Sequence, residues 1–152
     1  MEQPKLEFAF ELKIKVAKAL EMGVIPGGTR RIIPITGGSF EGPAIKGTIV
    51  PGGYDWQIIR NDGVADIDAR YVLTTDDGAF ITIINKGLRH GPKEVMRKLA
   101  KGENVDPSLY YFRSIPSFET SETKYDWLTK SIFLATGIRE PELVIIQVWK
   151  VL

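Results

Sequence analysis

The chain has no cysteine among its 152 residues. That removes disulfides, thiolate metal sites and cysteine nucleophiles together, and it fits a reducing compartment. Histidine is nearly absent as well: His90 stands alone, in the glycine-flanked stretch GLRHGPK. A transition-metal site is therefore not expected, and acid–base chemistry must draw on Asp, Glu, Tyr or Lys. An excess of charge is also missing, since 20 basic and 19 acidic side chains leave a net +1. Phosphate contacts call for a basic surplus, so nucleic acid is not an expected partner. No apolar run approaches the ~20 residues that cross a bilayer as a helix. The start, MEQPKLEF, lacks the basic segment and apolar run of a secretion signal. The charges along the strands argue against an outer-membrane barrel. The expectation is a cytoplasmic protein with no membrane partner. Cofactor motifs are missing too. No Gly-Lys-Ser/Thr follows the glycines of GGSFEGP or PGG, no helix opens after them, and there is no Gly-x-Ser-x-Gly elbow.

What is present is period-2 alternation. In KLEFAFELKIKV, Leu6, Phe8, Phe10, Leu12, Ile14 and Val16 take every second position between Glu and Lys residues. Side chains of a strand alternate between faces, so this is a long strand with one buried face. Further strands are expected in TRRIIPI, where Pro34 argues for an edge, bulge or strand end, and in AIKGTIV and WQIIR, with Pro51–Asp55 as a hairpin-length loop between them. VADIDARYVLTT and AFITIIN form the clearest hairpin, around Asp76-Asp77-Gly78. SLYYFRSI, SIFLATG and ELVIIQVWKVL read as strands, and KYDWLTK fits either a helical turn or a bent strand. One helix is expected near residues 92–101, with Pro92 at its start and Gly102 at its stop. A short second one is expected in AKALEMG (17–23). Eight to ten strands with so few crossover helices mean a single all-β domain over 1–152, an antiparallel barrel or sandwich.

Two stretches carry candidate chemistry. In 64–75, one alternating set is Ala65, Ile67, Ala69, Tyr71 and Leu73; the other holds Asp66, Asp68 and Arg70. The polar set fits a solvated face or the lining of a ligand cavity, and periodicity leaves both open. In YYFRSIPSFET, Tyr111 and Arg113 share a face, and Glu119 follows an expected corner at Ile115-Pro116. Arginine among aromatics suits a planar anion, and it suits an ion pair with Glu119 equally.

The segments ITGGSFEGPAIKGTIVPGGYDW, NDGVADIDARYVLTTDDGAFITIINKG, YYFRSIPSFET and YDWLTKSIFLATG closely resemble the domain of unknown function 3237 family, also called uncharacterised protein family 0311. The resemblance runs from Leu6 to the C-terminus. It implies an antiparallel β-barrel of bacterial type, and it places Asp55, Trp56, Arg70, Arg113 and Glu119 within the family's signature segments. The expectation that follows is a cavity for a small organic molecule, anionic or aromatic. Arg70 and Arg113 would anchor it, Trp56, Tyr111 and Trp127 would wall it, and Asp55 and Glu119 would orient the arginines or act as acid and base in isomerase- or cyclase-like chemistry. No cofactor and no metal are assigned. The alternative is a non-catalytic structural or oligomerising protein, a homo-oligomer included, whose charged pairs only hold the barrel.

Overall fold

The computed structural model describes all 152 residues. Nine strands run in chain order: β1 (Leu6–Val16), β2 (Leu20–Ile25), β3 (Gly28–Glu41), β4 (Lys46–Ile59), β5 (Ala65–Thr75), β6 (Phe80–His90), β7 (Tyr111–Glu119), β8 (Phe133–Glu140) and β9 (Leu143–Val151). The one α-helix is α1 (Lys93–Ala100), and no helix is long and apolar enough to cross a membrane. Short 3-10 helices cover Pro107–Leu109 and Thr123–Thr129. The sheet order is β1-β9-β8-β7-β6-β5-β4-β3-β2, every pairing is antiparallel, and β1 also pairs with β3. Eight strands thus close a barrel, and β2 is an extra strand outside the closure. β1 pairs with Ile35–Glu41 and β2 with Gly28–Ile32, so the two lie end to end along β3. β2 lengthens the barrel wall at one mouth.

Three local expectations are corrected. AKALEMG is not a helix: Leu20–Ile25 is β2, because the edge of the first half of β3 that faces away from β4 is left open by β1 and offers it a ladder of backbone partners that outweighs local propensity. Pro51–Asp55 is not a hairpin loop: β4 runs unbroken from Lys46 to Ile59, and the Pro-Gly-Gly stretch is a bulge that shifts register between Val50 and Tyr54. Ile115-Pro116 is not a corner: β7 continues to Glu119, with Pro116 beyond the two positions, Arg113 and Ser114, at which β7 pairs with β8. Pro34, by contrast, does fall at a break, in the gap on β3 between the partners of β1 and of β2.

The ambiguity of residues 64–75 is resolved by burial. Ala65, Ile67, Ala69, Tyr71, Leu73 and Thr75 all point into the barrel, while Asp66, Asp68 and Arg70 lie on its outside. The interior has two unlike halves. At one end Phe10, Phe40, Phe118 and Phe133 meet in edge-to-face and tilted pairs at centroid distances of 5.3–6.1 Å. The Thr123–Thr129 helix closes that end, with Leu128 and Tyr125 buried beneath it. Its latch is Asp77 in the β5–β6 turn, which accepts hydrogen bonds from Lys124 Nζ at 2.7 Å, Tyr125 Oη at 2.8 Å and the Thr75 hydroxyl. The other end faces β2, α1 and the β8–β9 turn, and there the interior becomes polar.

Candidate functional site

The polar half holds a cavity of about 40 Å³. Period-2 parity decides what lines it. In β4 the inward series runs through Asp55 and Gln57; in β6 it continues from Ile81, Ile83 and Asn85 to Arg89; in β8 it runs from Phe133 and Ala135 to Arg139. Tyr71 comes from β5 and Phe112 from β7. Isoleucines and valines of β1, β3, β5 and β9 make up most of the rest. Register orders these groups along the barrel. Arg89 pairs with Ala65 near the β2 and α1 mouth, Asn85 sits opposite Ala69, and Tyr71 lies opposite Ile83 deeper in. Two glycines make room for the site. A Cβ on Gly53 would come within 2.5 Å of the Tyr71 Cβ, and one on Gly137 within 2.8 Å of the Phe112 ring. The bulge in β4 therefore brings bare backbone against the strand that carries Tyr71.

The polar groups are poorly matched to one another. Asp55 Oδ2 accepts from Gln57 Nε2 at 2.7 Å, and Oδ1 accepts from the Asp68 backbone N–H at 3.2 Å. Beyond that, Gln57 Oε1, Tyr71 Oη, Asn85 Oδ1 and Arg89 Nε are buried without any hydrogen-bond partner. Arg89 is only 4% exposed, takes part in none of the protein's ion pairs, and stacks its guanidinium on the Phe112 ring at 5.4 Å. Most buried polar groups in proteins are paired, and four orphans around one cavity is a concentration that packing alone does not explain. Charge is affected as expected. Burial pulls the Arg89 guanidinium down to about 10, against a partial opposing pull from Asp55. Burial pushes the Asp55 carboxyl up, although its hydrogen bonds and Arg89 act the other way. Burial and then the Asp55 charge push the Tyr71 phenol well above its ordinary value, so it keeps its proton.

Of the residues singled out in the sequence, Asp55 alone lines this cavity. Trp56 has the opposite parity; it is 47% exposed on the outer wall, beneath the guanidinium of Arg30 at 5.8 Å. Arg70 is outside, with Nε donating to Asp68 Oδ1 at 3.3 Å. Tyr111 is outside as well, stacked on His90 at 5.0 Å with Arg113 over its ring at 5.5 Å. Arg113 donates to its neighbour's carbonyl, Phe112 O, at 2.9 Å. Glu119 accepts from Thr82 Oγ1 at 3.0 Å and shares an open outer groove with Arg70 and the Pro-Gly-Gly bulge. Trp127 is at the sealed end, 6.2 Å from the Phe133 ring. Tyr71 stood out in the sequence only as a member of the apolar set of 64–75, and Gln57, Asn85, Arg89 and Arg139 carried no signal of their own there. Extending the inward parity of AFITIIN four residues further reaches Arg89, and extending that of SIFLATG two residues further reaches Arg139.

Comparison with known proteins agrees with this architecture. The family model described as protein of unknown function (DUF3237) matches residues 4–151. A UPF0311 protein of Rhodopseudomonas palustris is 42% identical over 151 residues, 98% of this chain and 99% of its own. Its crystal structure, covering 100% of both chains, superimposes with a TM-score of 0.97. A UPF0311 protein of Clostridium acetobutylicum is 41% identical, covering 95% of this chain and 92% of its own. More distantly, the hydroalkoxylation enzyme phnH of Penicillium herquei is 24% identical over 97% of this chain and 84% of its own. An enzyme structure from the same fungus shares the fold at a TM-score of 0.75, covering 100% of this chain and 97% of that one, at 23% identity. The chain belongs to the DUF3237 family of β-barrel proteins.

Proposed function

We propose that the polar half of the barrel binds a small organic anion, a carboxylate or a phenolate, and that Asp55 and Tyr71 serve it as base and acid. The observation that carries this reading is Arg89: a guanidinium 4% exposed, with Nε unpartnered and no carboxylate paired to it. Burying such a charge costs several kcal/mol unless something pairs with it, and a bound anion supplies the pair. Asp55, held by Gln57 and the Asp68 amide, has a fixed orientation, and burial raises its pKa, which makes it a stronger base than an exposed carboxylate. Tyr71 keeps its proton and can donate it, or a hydrogen bond, to oxygen on which charge develops. Such a pair fits proton-transfer chemistry of the isomerase or cyclase kind. The Penicillium relative is named for hydroalkoxylation; at 24% identity this lends support to an enzymatic reading and nothing to the substrate.

The test is a thermal-shift screen of carboxylic acids and phenols against their neutral amides and ethers, on wild type and on Arg89→Met. A binder at a hundred times its Kd raises Tm by about 5–10 °C in wild type, and the variant does not respond. A screen in which no acid stabilises wild type, or in which Arg89→Met responds equally, defeats the reading. The cavity volume favours a second, non-catalytic reading. About 40 Å³ has room for two or three waters, and waters alone would satisfy the four orphans in a structural barrel. Under that reading Arg89→Met lowers Tm and no acid changes it.

A further inference from the structure

We propose that the ligand is an elongated organic anion that enters from the β2 and α1 end, with its inner part in the cavity, its tail in the cleft outside, and Arg139 as the side chain that divides the two. The inference rests on the anion-binding reading of the cavity and says how that site is reached and what shape it selects.

Three observations converge on it. First, one end of the barrel is closed to a ligand. It is filled by the four phenylalanines and covered by the Thr123–Thr129 helix, latched through Asp77. Second, the cavity continues outward. A cleft of about 500 Å³ lies between the β1–β2 connection (Ala17–Ala19), the end of α1 (Ala100–Gly102) and the β8–β9 turn at Pro141 and Glu142. Val16, Ile33 and Arg139 line both it and the inner cavity, so they form the boundary between the two. The inner space admits nothing larger than a few waters as it stands. An organic ligand that reaches Asp55 must therefore displace a boundary side chain and extend into the cleft. Val16 and Ile33 are fixed in the barrel wall. Arg139 is long and half-buried, and its side chain is anchored through Nη1 alone, so it is the boundary group that a ligand can displace.

Third, the boundary selects charge. Arg139 is held by backbone carbonyls, its Nη1 donating to Glu140 O and to Leu143 O, and it enters none of the ion pairs. Arg31, in the cleft beside it, spends only its Nε on Glu21, at 2.9 Å. Lys18 and Lys101 line the cleft as well, so four basic side chains face two acids, Glu21 and Glu142. Such a positive funnel concentrates anions and repels cations. The carbonyls that hold Arg139 belong to a turn with a strained residue, Glu142, at φ 59°. A carboxylate offers Arg139 a better partner than neutral carbonyls do, because charge-assisted hydrogen bonds are the stronger ones. An incoming anion therefore opens its own door.

The experiment is calorimetric titration with biphenyl-4-carboxylate, benzoate and the amides of both. Four variants accompany wild type: Ala19→Trp and Ala100→Trp, which fill the cleft, Thr129→Trp at the sealed end, and Arg139→Gln. Wild type binds the long acid more tightly than the short one. A cleft-filling tryptophan weakens the long acid at least tenfold and narrows its advantage over benzoate, whereas Thr129→Trp changes neither. Arg139→Gln cuts the preference for acid over amide about tenfold. A merely structural Arg139 would lower Tm and leave that preference alone. The inference is overturned if benzoate binds wild type but the cleft variants leave the long acid unaffected, if Thr129→Trp is the one that weakens it, or if Arg139→Gln keeps the full preference. If neither acid binds wild type, the anion reading itself fails and the access route falls with it.

Discussion

The two ends of one barrel are built by the same strands with opposite chemistry. At the sealed end, β5, β6 and β8 turn Leu73, Ile81 and Phe133 inward, all at most 1% exposed, against a cluster of aromatic edges. At the open end the same three strands turn in Tyr71, Arg89 and Arg139. The first half fills its space with side chains that ask for no partner. The second gathers groups whose hydrogen bonds the protein itself does not complete. Since hydrophobic packing is the stabilising choice in both places, the departure from it in one half points to a role other than stability.

That contrast predicts opposite responses to substitution. The largest effect belongs to the sealed half: Phe133→Ala empties a packed position and lowers stability by roughly 3–5 kcal/mol in denaturant titration, with no effect on anion binding. The next is of opposite sign. Replacing the buried charges together, Asp55→Asn with Arg89→Met, stabilises the barrel by about 1–4 kcal/mol while abolishing binding. A double variant less stable than wild type would mean that these groups hold the barrel, as the structural alternative requires.

Smaller differences appear with pH. The Asp55 carboxyl is pushed up by burial, so the folded protein binds a proton more readily than the unfolded chain does. Wild type therefore gains stability relative to the double variant as pH falls through that raised value. Asp77 behaves in reverse. Its hydrogen bonds from Lys124, Thr75 and Tyr125 hold it far below the ordinary carboxylate range. Its contribution is complete above the ordinary carboxylate pKa and drains away as pH falls below it. Melting curves of Asp77→Asn should lie below wild type at pH 7 and approach it in strong acid. Separate pH courses would show that the two halves of the barrel titrate independently; identical courses would show that they do not.

The architecture was legible because alternation survives in single sequences. The parity of β1, β5 and β6 is visible without any structure, and the resemblance supplied closure into a barrel. Register was not legible, because it depends on which bulge shifts which strand. The Pro-Gly-Gly stretch shows this: turn chemistry suggested a hairpin, yet neighbouring strands continue on both sides and β4 passes through it as a bulge. The candidate site suffered for a related reason. Asp55 and Trp56 are adjacent and so cannot face the same way, and Tyr111 and Arg113 share a parity that proves to be outward. Aromatics and arginines clustered in sequence drew notice, whereas Arg89 and Arg139 stand alone at the ends of apolar series. Parity, carried to the last residue of each strand, was the more informative signal.

The most direct measurement is a crystal structure of the protein soaked with benzoate. The expected result is carboxylate density inside the barrel, an oxygen about 2.7–2.9 Å from the Arg89 guanidinium, and the Arg139 side chain displaced from the Glu140 and Leu143 carbonyls. Ordered water at Gln57, Tyr71, Asn85 and Arg89, with Arg139 unmoved and no benzoate in the barrel at saturating concentration, would contradict it.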